Sequence, residues 1–488
     1  MKRLTAAALC LLLLLTSCTQ KGEVKEDESE SSAVYDYQLT PEDGELYESV
    51  PTGSCKGFTF KILNAYTSSP ASNMDAEEYT GDVIDDEVYG RNLRVEQRLN
   101  TVIEQERDTP VNVYDKTVKS VLAGDGAYSA VFTTPDYMAA LAADGYLLSA
   151  DRMRGVDTSK PWWNTETMEE LSVTGSIYML FGDIQLSFYD AHSMVGFNMD
   201  IVEKTNGLEN PYDLADSGKW TLDKMLSMAK SVSADLDGNG IRTFDDMYGS
   251  ASDGSELLPL LAGCGRKLME TGDDGLPALV CGKSEIFYDV FMKISDAMYS
   301  YSTLPYVYDS VRNEADMLSP SALFKEGNVL FLVTDIGHLY SLRDMNSEFG
   351  VLPMPKENEN QKDYISYISA KEVTAMGVPA LIREAEYTFR IIENLAAESY
   401  RTDGTKNNYL DRVLKFRYVN DERSRKNLLT VLSCGEFDLG EVYNFGGVAD
   451  ELKKLCYNTD TYSSVMARVE RKALADMNDF FEKAVGKR

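Results

Sequence analysis

The residues best spaced for chemistry lie in one short acidic loop. Asp235, Asp237 and Asn239 alternate with other residues, and Gly240 follows them. This is the spacing of a calcium-binding loop, because oxygen ligands recur at positions 1, 3 and 5 and a glycine at position 6 permits the sharp turn. A backbone carbonyl at position 7 and oxygens at positions 9 and 12 would complete the coordination. The predicted metal ligands are Asp235, Asp237, Asn239, Ile241, Thr243 and Asp246.

The loop ends in aspartate, whereas the calcium-loop consensus ends in glutamate. The shorter Asp246 side chain predicts weaker or more compact coordination than a bidentate glutamate gives. The alternative is a solvated turn built from Asp, Asn and Gly residues between two helices. An ion bound here is expected to be structural, so one structural calcium is the single cofactor that the sequence suggests.

Local signatures of catalysis are missing from the sequence. The chain has two histidines, His192 and His338, and it has no HExxH, GxSxG, Walker or GxGxxG motif. A pair of glycosidase carboxylates remains open, because any two of the 79 acidic residues could meet in a cleft. We therefore predict a protein that is not an enzyme.

Two of the three tryptophans are adjacent, Trp162 and Trp163, and they follow Pro161. Aromatic faces can pack on the C–H surfaces of sugars while neighbouring polar side chains bond the hydroxyls. The alternative is that both rings fill the core near a domain junction. We expect one ring to be buried and Trp163 to face a ligand cleft.

The N-terminus has the pattern of a secretory lipoprotein signal. Lys2 and Arg3 precede an apolar run over Leu4–Leu15, and small residues lead to Cys18. The run is shorter than the ~18 residues of a spanning helix. We predict a signal peptide over residues 1–17 and lipidation of Cys18. The lipid would hold the protein in the cell envelope, on the outer face of the cytoplasmic membrane.

The composition describes an acidic globular protein. The net charge is −31, and removal of residues 1–17 with Lys2 and Arg3 makes it −33. Such a charge repels nucleic acids and leaves neutral or cationic ligands as partners. The length of 488 residues predicts two packed domains. Beyond Cys18, the remaining mature cysteines show no metal or dense disulfide spacing and are expected to be mostly free thiols: Cys55, Cys264, Cys281, Cys434 and Cys456.

Strand-like and helix-like patterns alternate after an acidic segment. Residues 18–55 are rich in Glu, Asp, Ser and Gly and are predicted to be a disordered tether. From Phe58 onward, β-type runs alternate with amphipathic helices, which predicts an α/β fold with a largely parallel sheet. Later signals are a helix capped by Thr221, a β-type run over Val329–Val333, and a long C-terminal helix.

Several segments resemble, in their order and spacing, those of the extracellular solute-binding proteins of bacterial ABC importers. The similarity is to the carbohydrate-binding group (family 1) related to maltose-binding protein, in its lipoprotein form. Ser129 stands where that family usually has Asp, and Asp335-Ile336-Gly337 stands where sugar binders often have Gly-x-Trp. The resembling segments are Gly124–Val131, Phe197–Asp200, Leu323–Phe331, Thr334–Asp335 and Phe349–Pro355.

The resemblance implies a two-lobed, periplasmic-binding-protein-like (type II) α/β fold with a hinge and an interlobe cleft. Residues 56–185 and 321–362 are assigned to lobe 1, and residues 186–320 and 363–488 to lobe 2. The implied function is capture of an extracellular carbohydrate or similar polar solute and its delivery to a membrane ABC permease, by a monomer. Predicted ligand-binding residues, placed by motif or at strand ends, are Asn64, Tyr66, Thr134, Asp136, Trp163, Tyr189, Asp190, Thr334 and Asp335.

Two alternatives remain open from the sequence. The first is an importer receptor for peptides, which the acidic charge favours if the ligand is cationic. The second, from a different class, is a surface lipoprotein that binds or hydrolyses glycans.

Overall fold

The structure is a computed structural model. It describes residues 41–69, 72–76, 78–172, 175–240, 246–251, 254–272, 276–299, 320–411, 419, 421–456 and 461–486. The predicted signal peptide, Cys18 and the first part of the predicted tether lie outside these residues. Among the helices of the described part, none is long and apolar enough to cross a membrane.

The described chain forms twelve strands. In chain order they are β1 Phe58–Ala65, β2 Thr101–Asp108, β3 Ala130–Thr133, β4 Ser193–Asn198, β5 Tyr248–Ser250, β6 Met269–Thr271, β7 Pro277–Leu279, β8 Val329–Asp335, β9 Phe349–Leu352, β10 Ser366–Tyr367, β11 Ala375–Gly377 and β12 Gly435–Glu436.

Nineteen α-helices of the described chain connect and cover these strands. They are α1 Pro41–Glu48, α2 Val83–Leu99, α3 Pro110–Ala123, α4 Pro135–Ala143, α5 Thr165–Glu170, α6 Ser187–Asp190, α7 Met199–Lys204, α8 Pro211–Asp216, α9 Leu222–Val232, α10 Leu257–Gly263, α11 Glu285–Tyr299, α12 Pro320–Lys325, α13 Leu339–Leu342, α14 Ala385–Tyr400, α15 Thr405–Asn408, α16 Glu422–Ser433, α17 Leu439–Val442, α18 Val448–Leu455 and α19 Tyr462–Gly486.

The first sheet has the strand order β2-β1-β3-β11. β1 runs parallel to both β2 and β3, and β11 pairs antiparallel with β3. The carboxylate of Asp82 caps α2 by accepting from the backbone N–H groups of Ile84 and Asp85, and Asn100 ends that helix in a left-handed conformation. The predicted alternation of strand and helix is confirmed, and the carboxyl ends of β1, β2 and β3 lie at one edge.

The second sheet has the order β5-β8-β4-β9. β8 and β9 are antiparallel to β4, and β5 is parallel to β8. Val329–Val333 are all buried, whereas Thr334 and Asp335 are half-buried. Asp335 lies opposite Ser193 and Thr334 lies opposite Met194. β8 therefore crosses the core and emerges with a polar end.

Strand pairing differs from the predicted division of the chain. Residues 321–362 were assigned to the first lobe, but their strands β8 and β9 pair with β4 in the second sheet. Part of 363–488 returns to the first sheet, because β11 pairs with β3 and α14 bonds to α2. A buried apolar run such as Val329–Val333 satisfies the centre of either sheet equally well, so its own pattern does not reveal its neighbour.

The described part of the predicted tether is folded, contrary to the prediction of disorder up to residue 55. It contains α1, and Val50 and Cys55 are buried in the core. The Tyr47 hydroxyl donates to Glu398 Oε1 at 2.5 Å, and the guanidinium of Arg98 stacks on the Tyr47 ring. A few apolar residues within an acidic segment are enough to dock it against α2 and α14.

The predicted lack of a disulfide framework agrees with the structure. All five cysteines of the described chain are free, and four of them are buried. Burial raises the pKa of the Cys264 and Cys281 thiols to about 12, which keeps them protonated and unreactive. The Thr221 cap of α9 is confirmed, since its hydroxyl accepts from the backbone N–H of Lys224.

We expect loss of the Glu398 carboxylate to destabilise the fold strongly. This fully buried carboxylate accepts from Tyr47, from Arg94 Nε at 3.0 Å and from an Arg98 Nη atom at 2.7 Å. Glu398→Ala leaves the arginines facing a buried site without their acceptor, which costs about 3–5 kcal/mol of unfolding free energy in a denaturant titration.

The matched control for Glu398→Ala lies in the same helix. Glu386 is 79% exposed and pairs with Arg390 at 2.7 Å. Glu386→Ala is expected to cost less than about 0.5 kcal/mol. Equal effects of the two variants would contradict the role given to Glu398.

Candidate functional site

A cavity of about 630 Å³ lies at the carboxyl end of β8. Thr334 and Asp335 reach it from the strand, and Ser193 reaches it from β4. Further walls come from α10, α12, α17, α18 and the segment after β10. Its surface carries hydroxyls from Ser193, Ser255, Ser321, Thr334, Ser341, Tyr367 and Ser369, together with a similar number of charged side chains. Such a lining suits a solute with many hydrogen-bonding groups.

Two of the predicted ligand-binding carboxylates flank one glycine beside this cavity. A Cβ atom on Gly337 would lie 3.2 Å from Asp190 Cβ and 3.3 Å from Asp335 Oδ1. Asp190 itself is buried and accepts hydrogen bonds from Ser69 Oγ and the Tyr409 hydroxyl. The structure thus brings Asp190 close to Asp335, in a region where glycine is needed for the close approach.

The loop after β1 reaches this region through residues that the sequence analysis did not select. Ser69 bonds Asp190, and Ser68 Oγ donates to Glu372, which lines the cavity. The predicted Asn64 is instead fully buried, and its Nδ2 donates to Ser72 O and to Gln105 Oε1, both at 2.8 Å.

Tyr66, the other residue predicted from β1, is 52% exposed. The Arg107 guanidinium lies 4.5 Å from its ring centre. Tyr66 is not among the residues that line the cavity.

The remaining predicted residues also lie away from the cavity lining. Thr134 Oγ1 donates to Asp136 Oδ1 at 2.5 Å, at the N-terminus of α4. The Tyr189 hydroxyl donates to Asp183 Oδ1 at 2.6 Å, and burial raises the pKa of Tyr189 well above its usual value. These pairs position local structure, and neither contributes to the cavity wall.

The two adjacent tryptophans share one buried carboxylate. Trp162 Nε1 and Trp163 Nε1 each donate to a different oxygen of Glu393 at 3.1 Å. Both rings are buried, Trp163 at 5% exposure, so the expectation that Trp163 faces a cleft is wrong. Burial raises the pKa of Glu393 to about 7, against the opposing effect of these donors. Adjacency in sequence gave no sign of this partner, which lies some 230 residues away.

The two histidines have opposite electrostatic environments. His338 Nδ1 lies 2.9 Å from Asp335 Oδ1 at the cavity, and this hydrogen bond raises the pKa of His338 to about 9. His192 is almost fully buried, its Nδ1 meets Phe188 O at 2.9 Å, and burial lowers its pKa to about 4. At neutral pH the cavity therefore presents a protonated His338, while His192 is neutral.

The predicted calcium loop brings three carboxylates together. One oxygen each from Asp235, Asp237 and Asp246 lie within 4.8 Å of one another. The two oxygens of Asp235 accept from the backbone N–H groups of Gly238 and Gly240, both at 2.8 Å, and Asp246 is buried. Ile241 and Thr243 lie outside the described residues. The donor set fits a hard cation such as Ca²⁺.

Several cavity residues were missed by the sequence analysis. They come from four elements that only the tertiary fold places together: His338, Lys325, Lys453, and the adjacent Lys371 and Glu372. His338 alone carried a local signal, because it is one of two histidines and follows the predicted Asp335 by three residues.

The fold is that of carbohydrate-binding ABC solute-binding proteins. An ABC substrate-binding protein from Listeria monocytogenes in complex with cycloalternan has a TM-score of 0.56 and 13% identity, covering 88% of this chain and 100% of that chain. A maltose/maltodextrin-binding domain from Bdellovibrio bacteriovorus bound to maltotriose has a TM-score of 0.54 and 12% identity, with 86% and 100% covered.

A third solved structure, a Thermus thermophilus maltotriose-binding protein with bound maltotriose, has a TM-score of 0.52 at 12% identity and covers 85% of this chain and 98% of that chain. The chain matches no protein-family model and no curated protein. These similarities confirm the predicted two-lobed α/β fold.

We expect the two histidines to titrate at opposite ends of the pH range in an NMR titration of their ring C–H signals. His338 should titrate near pH 9 and His192 near pH 4. Because the folded-state pKa of His338 lies above its usual 6.5, its ion pair stabilises the fold fully below pH 6.5 and is lost as the pH rises through about 9.

Asp335→Asn provides the control for this titration. The variant removes the partner carboxylate, so the pKa of His338 should fall toward its usual value while that of His192 stays low. An unchanged titration of His338 in Asp335→Asn would contradict the pairing.

Proposed function

We propose that this chain is an extracellular solute-binding protein of the carbohydrate type, the receptor of a bacterial ABC importer. It binds a sugar or similar polar solute in the cavity at the end of β8. The observation that carries the proposal is that cavity, whose volume of about 630 Å³ lies within the ~300–1,000 Å³ of small-molecule pockets. Three proteins of the same fold, cited above, were solved with oligosaccharides bound.

The polar groups of the cavity support the binding of a hydroxylated solute. Thr334 and Asp335 at the end of β8, and Ser193 opposite Asp335 on β4, contribute hydroxyl and carboxylate groups to the lining. Each hydroxyl can both donate and accept, as sugar hydroxyls do. We expect closure of the two lobes around the solute to produce the shape that a membrane permease recognises.

The proposed role is binding and not turnover. The cavity carboxylate Asp335 is paired with protonated His338, and Glu441 accepts from the backbone N–H of Ala370 at 2.7 Å. Each therefore has a positioning partner of its own. The proteins with this fold named above are described as binding proteins.

We place the protein on the outer face of the cytoplasmic membrane, held through lipidated Cys18. The support is the basic, apolar and small-residue order of residues 1–18. The described body contributes no membrane-crossing helix of its own. A membrane anchor keeps a receptor close to its permease.

We also propose that Asp235, Asp237, Asn239 and Asp246 hold one structural Ca²⁺. The support is the convergence of three carboxylates, one of them buried, in a loop with calcium-ligand spacing. The ion would neutralise this acidic cluster and fix the connection between α9 and β5.

The first test is a thermal-shift and calorimetric screen of the protein without residues 1–18 against oligosaccharides and peptides. A sugar present at 100 times its dissociation constant should stabilise the protein by about 2.7 kcal/mol. Asp335→Asn should weaken that sugar about tenfold or more, since a charge-assisted hydrogen bond is lost. Asp136→Asn, away from the cavity, is the matched control and should leave affinity unchanged.

The screen also separates this proposal from its alternatives. Stabilisation by peptides alone would replace the sugar receptor with a peptide receptor. Appearance of shorter oligosaccharides during incubation would show a glycan hydrolase.

Cys18→Ser should release the protein from the membrane fraction into the aqueous phase when cells are extracted with detergent. Incorporation of a labelled fatty acid into the wild-type chain, and its loss in Cys18→Ser, measures the same property chemically. Cys55→Ser, which alters a buried thiol, is the control and should remain in the membrane fraction.

Calcium should raise the unfolding temperature, and a chelator should reverse the effect. Asp246→Asn should abolish the calcium-dependent shift, because it removes the carboxylate predicted to close the site. Asp200→Asn, an acidic change on α7, should retain the shift. An identical response to Mg²⁺ would argue against a calcium-selective loop.

A further inference from the structure

The same cavity collects basic side chains in a protein that is otherwise strongly acidic. Lys325 from α12, Lys371 from the segment after β10, Lys453 from α18 and protonated His338 all line it. The whole chain has 48 basic and 79 acidic residues. Four cationic groups from four elements therefore match the four carboxylates of the described lining in number, whereas acidic residues exceed basic ones in the whole chain.

The carboxylates of the cavity wall are engaged within the protein. Asp335 pairs with His338, Glu372 accepts from Ser68, and Glu441 accepts from Ala370 N–H. Glu256 is buried and accepts from the backbone N–H of Gly254 at 3.2 Å. Each of these carboxylates therefore has at least one donor within the protein, and the contacts described for Asp335 use Oδ1.

The lysines of the cavity lining have fewer and weaker contacts with protein groups than these carboxylates have. Lys371 Nζ lies 3.8 Å from Asp450 Oδ1, and both side chains are about half exposed, which makes the pair weak. Within the residues that the structure describes, neither Lys325 nor Lys453 forms an ion pair, although the charges of Lys453 and Lys371 oppose the rise that burial causes in the pKa of Glu441. Among the basic groups of the lining, Lys325 is therefore the most available to a ligand, followed by Lys453.

The described cavity lining offers little aromatic surface on which a ligand could stack. Apart from the His338 imidazole, its single aromatic side chain is Tyr367, which is 3% exposed and lies beside Glu441. A neutral oligosaccharide gains much of its affinity from aromatic faces packed on its C–H surfaces. The described lining therefore offers mainly hydrogen bonds and charge for recognition.

We infer that the cavity takes a short saccharide that carries an anionic substituent, with Lys325 and Lys453 binding the anion and the hydroxyl lining binding the sugar. This inference rests on the proposed function and names the substrate class of the same site. A carboxylate, sulfate or phosphate on the sugar would supply the same charge, and burial of that charge requires paired cations of this kind.

The experiment is isothermal titration calorimetry of the protein without residues 1–18. The probes are tri-galacturonate, neutral galactotriose, galactose 6-sulfate and glucose 6-phosphate, each at low and high salt. We expect at least one anionic probe to bind about tenfold or more tightly than galactotriose, and its affinity to fall with salt. The anionic probe that binds identifies the source of the charge.

Variants assign the effect to the lysines. Lys325→Gln and Lys453→Gln should each weaken the anionic probe about tenfold, because each removes a charged hydrogen-bond donor. Lys204→Gln, on α7 with a side chain 76% exposed, is the matched control and should leave affinity unchanged.

Each outcome separates the inference from the proposed function. Galactotriose binding as tightly as the anionic probes, or lysine variants without effect, overturns the inference and leaves the sugar receptor in place. Failure of every saccharide here and in the wider screen, with binding of peptides, overturns both.

Discussion

The antiparallel pairing of β8 with β4 determines where the strand residues of the cavity lie. Its register sets Asp335 opposite Ser193 and Thr334 opposite Met194. A slip of one residue would move each β8 side chain to the other face of the sheet and change which side chains of its polar end reach the cavity. The buried run Val329–Val333 holds β8 in the core, and its pairing with β4 sets the register. The strand pairing that packs the core therefore also positions the polar end of β8 at the cavity.

Local sequence patterns predict many strands and helices of the fold. They predict only part of how these elements assemble the site. β1, β3, β8 and the caps of the helices have short-range signatures of period or capping. Thr334 and Asp335 follow the buried run of β8, a local pattern visible in the sequence, and they line the cavity. The partners of Trp162 and Trp163, and the neighbours of β8, depend on contacts across hundreds of residues. Nothing in the pattern of one segment specifies them, which is why Trp163 was misplaced and the lobe division differed from the pairing.

Buried and exposed acidic side chains have different surroundings in this protein. Buried carboxylates such as Glu393 and Glu398 are held by indole and guanidinium donors, which offset the cost of their burial. Most of the other described acidic side chains are exposed or half-buried at the surface. In the described lining of the cavity, basic and acidic groups are equal in number. A large negative net charge keeps such a body soluble and apart from anionic surfaces without deciding the preference of its cavity.

The burial of all three tryptophans has a consequence for optical measurements. Trp162 and Trp163 share Glu393, and Trp220 Nε1 donates to Pro353 O at 2.9 Å, so each indole is enclosed by protein and already hydrogen-bonded. None of them lines the cavity. Intrinsic fluorescence should therefore report disruption of the interior, and a solute can change the emission only by altering how these interior regions pack.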